Sequence, residues 1–452
     1  MFYHTAYAAS VFLFIFVCTG VSIRFIMLFL SVLWIKYEKQ LIRSEIKKYP
    51  KISLLIPAYN EKDTIVESVT HVINADYPDL EIIVINDGSK DSTLPLLIEA
   101  FELSEDPAFQ LIESVPTQPL KKIFTSRSIE NLIVADKENG GKADALNCGI
   151  NISSADYVLA LDADTHLTKN TIRYLITPIL QNPDIVVTSG SVRIISDGMR
   201  NSVFTDLQKA EFVNSISLFR TAWNFLNANL IVSGALGLFN KRILIDINGY
   251  HNLAIGEDME LIVRIHRKLL EKRSEYKILQ LALPTCFTKA VPSVEEMIKQ
   301  RKRWQKGLLS SLRLNMKLCF NPRFKSVGMI ALPFYILFEI FGPFFELLGL
   351  FLYFMLIITG SSENAGLGSG YFSTPLLIWC IGLLFAIFND WLSISIDKFL
   401  LRGMSGKEYF RLLMSACTSP FFYHFLQLYC KIKGTAEYFS TIQTSTKWDT
   451  KR

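Results

Sequence analysis

Acidic residues stand directly after short apolar runs in this sequence, where they could bind a metal ion or move a proton. Asp162 and Asp164 end the run Y-V-L-A-L-D-A-D at 157–164. Two carboxylates two residues apart can share Mg²⁺ or Mn²⁺, with substrate phosphates completing the coordination shell. Asp is also common at a helix N-cap, and the triplet alone would favour that interpretation. Because other acids end neighbouring apolar runs, we predict a cation site here.

Asp258 belongs to a second acidic segment, G-E-D-M-E-L-I-V-R-I-H at 256–266. On a helix it shares one face with Ile262, Ile265 and Leu269. An apolar stripe of this kind faces a core. The carboxylate at the head of the stripe should therefore point into a cleft rather than into water.

The acids beside Asp258 have simpler explanations. Glu257 would lie in the first turn of the helix, where a negative charge is favoured by the helix dipole. Glu260 lines up with Arg264 and Arg267, and we expect these three side chains to form an ordinary solvated ladder of charges.

Three further motifs are weak when taken singly. Asp87 in I-N-D-G-S is either a turn residue or an acceptor for a nucleobase or ribose. Lys142 follows Gly140 and Gly141 at a predicted helix start, which suits either a plain turn or a contact to a phosphate or sugar hydroxyl. The segment Q-R-K-R-W at 300–304 lies in a basic stretch that could cover an anionic membrane face. Its Trp could instead stack on a sugar, and its Arg could bind a diphosphate.

Histidine and cysteine give little functional signal. His71, His166, His251 and His266 are isolated in the sequence, and we expect them to be exposed or internally satisfied. The seven Cys include no C-x-x-C pair, which favours neither a disulfide framework nor a zinc site.

The composition indicates a membrane protein with a soluble middle. Half of the 452 residues are hydrophobic and 33 are Phe, which is too apolar for a purely soluble chain. The apolar residues concentrate at the two ends, whereas residues 36–325 have an ordinary charge content. The net charge of +5 argues against a nucleic-acid partner, and the absence of G-x-G-x-x-G and G-x-x-x-x-G-K-[ST] argues against a dinucleotide fold and a P-loop.

The N-terminal segment, residues 7–35, is predicted to be one long tilted transmembrane helix. It carries a single charge, Arg24, and exceeds the roughly 20 apolar residues that a span needs. Basic residues follow it directly, so the positive-inside rule puts the central domain in the cytoplasm and the N-terminus outside. These basic residues are Lys36, Lys39, Arg43, Lys47 and Lys48.

The C-terminal segments are broken by prolines and charges. We predict an interfacial or re-entrant helix at 327–341 and spans at 344–360 and 374–395. The loop between the two spans, 361–373, has no Lys or Arg, as expected outside the cytoplasm. Residues 409–430 are predicted to lie at the interface, with an additional pair of spans as the alternative.

The soluble middle has the pattern of an α/β domain. Short buried-strand runs alternate with helical spacing between residues 51 and 165, which indicates a mainly parallel sheet. The polar stretch 102–130 is expected to be an irregular surface excursion. Ligands of such sheets bind beyond the carboxyl ends of the strands. The polar residues expected to converge there are Asn60, Glu61, Asp87, Lys142, Asp162 and Asp164.

Seven motifs together resemble the membrane-bound family 2 glycosyltransferases, the group that includes cellulose synthase, hyaluronan synthase and poly-N-acetylglucosamine synthase. The resemblance covers roughly residues 50–310, and the flanking membrane segments also fit. In chain order the motifs are P-A-Y-N-E at 57–61, N-D-G-S at 86–89, K-E-N-G-G-K-A-D-A-L-N at 137–147, D-A-D at 162–164, S-G-A-L-G at 233–237, G-E-D at 256–258 and Q-R-K-R-W at 300–304.

The resemblance implies a GT-A fold, which is an α/β domain with a Rossmann-like mixed sheet, in the cytoplasm and flanked by transmembrane and interfacial helices. It implies an inverting transfer from a nucleotide-diphosphate sugar, with UDP-glucose or UDP-N-acetylglucosamine expected, that extends a β-linked polysaccharide. The implied partners are the sugar donor, a saccharide or lipid-linked acceptor and membrane lipids, with room for a secretion or accessory subunit.

Carried over by position, the resemblance assigns a role to each motif. Asp258 would be the general base, and Asp164 would bind the donor mainly through Mg²⁺ or Mn²⁺. Donor contacts would come from Tyr59, Glu61, Asp87, Lys142, Asp162, Asp164, Gln300 and Arg303. Acceptor contacts would come from Ser233, Gly234, Ala235, Glu257 and Trp304.

Two departures from the family keep other functions open. The chain has G-E-D where cellulose synthases commonly have T-E-D, which argues against cellulose as the product. About three spans are fewer than in synthases that form a channel within one chain. The alternatives are the transfer of a single sugar to a lipid and, from another class, an inactive membrane subunit that binds nucleotide.

The predicted domain boundaries follow from these segments. They are a transmembrane helix at 1–35, the glycosyltransferase domain at 36–310, interfacial helices at 311–343, transmembrane helices at 344–396, and an interfacial helix with a basic cytoplasmic tail at 397–452.

Overall fold

The structure, a computed structural model, describes residues 2–195, 202–252, 255–360 and 370–440. Residues 361–369 of the predicted outside loop and residues 441–452 of the predicted basic tail lie outside the described residues.

A ten-stranded mixed sheet forms the centre of the described chain, in the order β3-β4-β5-β2-β1-β6-β9-β8-β10-β7. The strands are β1 Ile52–Ala58, β2 Leu80–Asn86, β3 Leu103–Glu105, β4 Leu120–Ser126, β5 Leu132–Lys137, β6 Tyr157–Leu161, β7 His166–Leu167, β8 Ile185–Ile195, β9 Leu236–Asn240 and β10 Lys277–Lys289.

The four middle strands, β5, β2, β1 and β6, are parallel, as the short apolar runs predict. Every residue of β1 and β2 is buried, because helices cover both faces of the sheet. The outer part differs from the mainly parallel expectation. β9 pairs antiparallel with both β6 and β8, and β4 pairs antiparallel with β5.

The expectation of an irregular excursion at 102–130 is wrong in part. β3 and β4 from this stretch add two strands to the edge of the sheet. Ile123 and Phe124 of β4 pack in the two opposite cores, but its sequence L-K-K-I-F-T-S also carries two exposed lysines. A strand of this kind, one place in from the edge of the sheet, lacks the continuous apolar run by which the central strands are recognised.

The described residues contain fifteen α-helices, several of them joined end to end by π or 3₁₀ turns. They are α1 Phe2–Leu41, α2 Ile65–Ile73, α3 Thr93–Ala100, α4 Lys142–Ile152, α5 Thr171–Gln181, α6 Val203–Glu211, α7 Arg220–Ala222, α8 Lys241–Asp246, α9 Glu257–Glu271, α10 Val294–Leu314, α11 Leu332–Phe334, α12 Gly342–Gly360, α13 Gly370–Ile396, α14 Gly406–Ala416 and α15 His424–Ser440.

Two hydrophobic cores lie on opposite faces of the sheet. Alternate residues of β1 point to opposite sides, so that Leu54 packs in one core and Leu55 in the other. Helices α2, α3 and α5 supply the first core, and α4, α8 and α9 supply the second. The predicted stripe on α9 faces its core as expected, since Ile262 and Ile265 are fully buried.

Among the described residues, three helical stretches are long and apolar enough to cross a membrane: Ile15–Leu41, Val327–Leu352 and Cys380–Leu401. The first lies within α1, which is one continuous helix, as predicted. The second starts where an interfacial helix is predicted and continues through Gly342 into α12, so the predicted division at residue 343 does not coincide with a break in the helix.

Glu38 joins the end of α1 to the sheet. Between the pairs Gln280↔Ser189 and Pro284↔Ser191, β10 bulges away from β8. The Ala282 and Leu283 amides in this bulge donate to the buried Glu38 carboxylate over 2.8 to 3.0 Å. The carboxylate therefore replaces the strand partners that the bulge loses.

We predict that Glu38→Ala destabilises the protein by about 2 to 6 kcal/mol, because two buried amides lose their acceptor at about 1 to 3 kcal/mol each. The measurement is the unfolding midpoint of the purified chain in detergent. Glu38→Gln keeps an acceptor oxygen and should lose clearly less. Equal losses in the two variants would show that the hydrogen bonds are not the cause.

Candidate active site

The D-A-D segment lies at the carboxyl edge of the sheet, directly after β6. The Asp162 carbonyl accepts a hydrogen bond from the Thr165 amide at 3.0 Å, which turns the chain away from the strand. Ser68 of α2 donates its hydroxyl hydrogen to the Ala163 carbonyl. The two carboxylates are therefore carried on a turn that is tied to α2, and both side chains are partly exposed.

Lys142, the first residue of α4, brings three motifs together. Its ammonium forms an ion pair with Asp162, donates to the Gly234 carbonyl at 3.2 Å and lies 3.7 Å from the Glu257 carboxylate. Burial by itself lowers the pKa of Lys142. The negative charges of Asp162 and Glu257 outweigh that effect and hold the pKa above its ordinary value.

Asp258 lies in the first turn of α9, with one carboxylate oxygen accepting from the Met259 amide at 2.8 Å. A side chain at Gly234 would meet both this carboxylate, at 3.4 Å, and the Lys142 ammonium, at 3.3 Å. The missing side chain leaves a small cavity of about 10 Å³, room for roughly one water, which Ser233 and Tyr250 also line. The structure thus places Asp258 in a cleft beside Lys142.

Glu257 faces the same cluster. Burial raises its pKa and the neighbouring Asp258 adds to the rise, while Lys142 and Arg303 oppose it. The influence of Arg303 places α10 within electrostatic reach of the G-E-D segment. A proton therefore resides on Glu257 at a higher pH than on an exposed glutamate.

The prediction that Glu260, Arg264 and Arg267 form a solvated ladder of charges is wrong for Glu260 and Arg264. Glu260 and Arg264 are buried, and Arg264 donates Nε and Nη2 to the Glu260 carboxylate at 2.8 to 3.2 Å. Arg264 also donates to the Ile247 carbonyl at the end of α8. The helix is covered on this side by the α8 segment, which the spacing within α9 cannot reveal.

Asp87 is completely buried, and its carboxylate organises a loop. It accepts from the Lys137 ammonium at 2.8 Å, the Asn139 amide group at 3.1 Å and the backbone amides of Gly140 and Gly141 at 3.0 and 2.8 Å. Neither oxygen is exposed in this structure, and the carboxylate holds the N-G-G loop at 139–141 in place. A role of Asp87 in donor binding stays a prediction.

Lys137, which is not among the predicted site residues, helps to hold this loop. It is fully buried between Asp87 at 2.8 Å and Asp144 at 2.5 Å. Burial by itself lowers the pKa of Lys137, and the two carboxylates reverse the effect and raise it. The sequence does carry a signal for Lys137, because this residue ends an apolar strand much as Asp87 and Asp162 follow theirs.

Tyr59 and Glu61 follow β1 at the same edge of the sheet, and both are partly exposed. The turn that carries them is bound to the turn after β2, since the Asn60 amide donates to the Ser89 hydroxyl at 3.0 Å and Asn60 accepts from the Lys90 amide at 2.9 Å. The Glu61 carboxylate accepts from the Thr64 hydroxyl at 2.8 Å. The predicted convergence of these strand ends is therefore confirmed.

The Q-R-K-R-W segment lies on α10, and its buried member is Arg301 rather than Arg303. Arg301 donates to both oxygens of Glu211 at 2.6 and 3.2 Å and to the Gln300 side chain. Its guanidinium lies 3.9 Å from the centre of the Trp304 ring. Arg303 and Trp304 are exposed, with Trp304 at 38%. Arg301 thus holds Trp304 in place while Trp304 and Arg303 stay accessible to a ligand.

Helices α9 and α10 touch through two glycines. A side chain at Gly256 would lie 2.8 Å from the Gly307 Cα, and one at Gly307 would lie 3.0 Å from the Gly256 Cα. The Ser311 hydroxyl also donates to the Gly256 carbonyl at 3.1 Å. The start of α9, which carries Asp258, is therefore in direct backbone contact with α10, which carries Arg303 and Trp304.

The histidines divide into two groups. His266 is buried and satisfied by Tyr276 and the Asn229 carbonyl, and His251 is exposed, as expected. His71 is exposed as expected and His166 is partly exposed, and their rings meet edge to face with 4.7 Å between the ring centres. The contact joins α2 to β7, which are far apart in the sequence.

Two family models match the chain. Glycosyl transferase family 2 matches residues 53–115, and glycosyl transferase family group 2 matches residues 157–423, more than half of the chain. The chain belongs to the family 2 glycosyltransferases, and it is an enzyme of the glycosyltransferase class.

Among curated proteins, the chain is similar to poly-beta-1,6-N-acetyl-D-glucosamine synthases. It is 29% identical to the Staphylococcus epidermidis protein over 59% of this chain and 57% of the relative. It is 28% identical to that of Staphylococcus aureus strain MSSA476 over 62% of this chain and 63% of the relative. The chain thus spans about three fifths of the length of these relatives.

A solved structure supports the fold. A mannosyltransferase from Pyrobaculum calidifontis, in complex with GDP-Man and Mn²⁺, superposes over 91% of this chain and 99% of its own, with a TM-score of 0.53 and 15% sequence identity. The predicted GT-A fold, with candidate membrane helices beside it, is confirmed.

We predict that Gly307→Ala lowers sugar transfer by roughly tenfold to a hundredfold, because α9 must move and a 1 Å displacement of a catalytic group can cost about 10²-fold. The measurement is the turnover of donor by purified protein in detergent. Alanine favours a helix interior over glycine, so a loss would not reflect helix propensity.

The matched control is Gly406→Ala, since nothing lies within 4 Å of a side chain at that position. It should keep wild-type turnover. If both variants turn over donor at the wild-type rate, the glycine contact does not position Asp258.

Proposed function

We propose that the protein is an inverting glycosyltransferase that extends a β-linked polysaccharide from a UDP-sugar at the cytoplasmic face of a cell membrane. The single observation that carries the proposal is the cleft in which Asp258, Lys142 and Asp162 meet around Gly234. A base, a cation that pairs with acids, and an opening between them are the parts that such a transfer needs. UDP-glucose and UDP-N-acetylglucosamine are the candidate donors, and the named relatives favour the second.

Asp258 is proposed as the general base. Its carboxylate takes the proton of the acceptor hydroxyl while that oxygen forms a bond to the anomeric carbon of the donor. The bond from the anomeric carbon to the diphosphate oxygen breaks on the opposite face, so the configuration inverts. General base catalysis contributes about 10²- to 10⁴-fold. The helix-borne position of Asp258, over a rigid buried stripe, suits a base that must be held in one place.

The donor diphosphate is assigned to the D-A-D turn. Asp164 and Asp162 offer the oxygen ligands that Mg²⁺ or Mn²⁺ prefers, on a turn held by α2. When bound, the cation offsets the negative charge that develops on the leaving UDP. Lys142 keeps Asp162 oriented, and Arg303 and Gln300 are proposed to contact the diphosphate from α10.

The nucleobase and acceptor sides are assigned from the same edge. Tyr59, beside Glu61 on the exposed turn after β1, is proposed as a uracil contact. Asp87 acts through the N-G-G loop, as a positioning residue for Lys142. The acceptor sugar is assigned to the surface beside the small cavity, next to Ser233, Gly234 and Glu257, with Ala235 following them in the chain. The exposed Trp304 ring is proposed as a stacking surface for it.

The membrane location and orientation are part of the proposal. The three candidate spans lie before and after the sheet domain, and basic residues follow the first of them. The positive-inside rule then favours a cytoplasmic sheet domain, where UDP-sugars are made. Membrane lipids surround the spans, and a secretion or accessory subunit is a further expected partner.

We predict that Asp258→Asn reduces transfer by about 10²- to 10⁴-fold, since only the base is removed. Binding of UDP-sugar, followed by calorimetry, should stay at the wild-type affinity. Asp164→Asn serves as the contrasting variant and should weaken donor binding in the presence of Mn²⁺. Near-wild-type turnover by Asp258→Asn would disprove its role.

We predict that membranes containing the enzyme convert radiolabelled UDP-N-acetylglucosamine or UDP-glucose into a long polymer. The product is sized by gel filtration after extraction with organic solvent. A single labelled sugar in the solvent phase would favour transfer to a lipid. Failure of every donor in a panel, with UDP still bound, would favour an inactive nucleotide-binding subunit.

A further inference from the structure

A cluster of two histidines and one glutamate lies outside the site described above. Glu67 and His71 belong to α2, and His166 belongs to β7. One ligand atom from each of the three side chains lies within 4.8 Å of the other two. The two histidine side chains meet edge to face, with 4.7 Å between ring centres. Three potential metal ligands from two separate elements thus face one another.

The backbone already sets the direction of these side chains. Glu67 and His71 are four residues apart on α2, so both project from one face of the helix. The His71 Nδ1 donates a hydrogen bond to the Glu67 carbonyl at 3.0 Å. Because a carbonyl only accepts, this bond fixes the neutral tautomer whose Nε2 carries a lone pair. His166 is held by antiparallel pairing with Phe287 of β10.

The ligand set indicates the kind of ion. Two imidazoles and one carboxylate suit Zn²⁺ and related transition metals, usually with water in a fourth, open position. Mg²⁺ prefers oxygen ligands, which the D-A-D turn supplies instead. The chemistry of the two sets therefore selects different ions.

We propose that Glu67, His71 and His166 form a second metal site, which takes a transition metal such as Zn²⁺ and clamps α2 to β7. The clamp acts on the D-A-D turn from two directions. Ser68, next to Glu67, holds the Ala163 carbonyl, and His166 follows Asp164 by two residues. An ion in this site would connect α2, which holds the Ala163 carbonyl through Ser68, with His166, and would thereby stabilise the D-A-D turn. The site itself does not depend on the proposed function.

The test uses the full-length protein in detergent, stripped of metal with a chelator and titrated with Co²⁺. Co²⁺ in a tetrahedral site with imidazole ligands absorbs visible light strongly, whereas Co²⁺ on oxygen ligands in octahedral geometry absorbs weakly. We expect the strong spectrum at one equivalent, its loss on addition of Zn²⁺, and a rise in the unfolding midpoint with either ion.

His71→Ala and His166→Ala should each weaken Co²⁺ binding by more than the roughly 10- to 100-fold that the loss of an outer-shell partner costs. His251→Ala is the matched control, because His251 is exposed and outside the cluster. Asp164→Asn should retain the Co²⁺ spectrum, since the proposed site is distinct from the D-A-D acids. Unfolding midpoints in the absence of metal verify that the variants fold.

Three outcomes would overturn the proposal. One is a wild-type protein that shows only the weak octahedral spectrum. The second is a strong spectrum that survives in folded His71→Ala and His166→Ala. The third is a spectrum lost in Asp164→Asn but kept in His71→Ala, which would assign the ion to the D-A-D turn.

Discussion

The candidate active site depends on one buried carboxylate, that of Asp87. A charge without access to water is costly unless it is paired and hydrogen-bonded, and Asp87 meets both conditions through Lys137 and the loop amides of Gly140 and Gly141. The loop can therefore adopt only the path in which those amides point at Asp87. Lys142 follows immediately, and its ammonium then reaches Asp162, Gly234 and Glu257. The Asp87 carboxylate, directly after β2, thus determines the position of the Lys142 ammonium between the D-A-D, S-G-A-L-G and G-E-D motifs.

A second constraint links the site to the helices that lead into the membrane segments. Gly256 and Gly307 let α9 and α10 approach with backbone against backbone, so that Asp258 and the Q-R-K-R-W segment lie on two helices in direct contact. Arg301 is paired with Glu211, at the end of α6, and lies against Trp304. At the other end of the chain, Glu38 of α1 completes the hydrogen bonding of the β10 bulge. The sheet is therefore bound to the first candidate span by a polar contact as well as by apolar packing.

The strand-end residues could be predicted because their positions follow from local pattern and topology. Parallel strands end at a common edge, so apolar runs that each finish in a polar residue bring Glu61, Asp87 and Asp162 to that edge. The same logic does not identify residues whose partners come from elsewhere. The Glu260–Arg264 pair looks like a solvent-exposed ladder until α8 covers it, and Arg301 looks no different from the other basic residues until Glu211 and Trp304 surround it.

The sequence by itself determined the α/β arrangement, the apolar ends and the set of motif residues, because each depends on residue type and spacing along a few turns or one strand. The class of enzyme followed from the resemblance of the seven motifs, in their order, to a known family. Only the tertiary structure decided which of those residues are buried, which are accessible and which contact one another. It buried Asp87 and left Tyr59 accessible, seated α9 on α10, and brought His71 within reach of His166. The physical reason is that burial and pairing are properties of contacts between segments distant in the chain, and no periodicity within one segment records them.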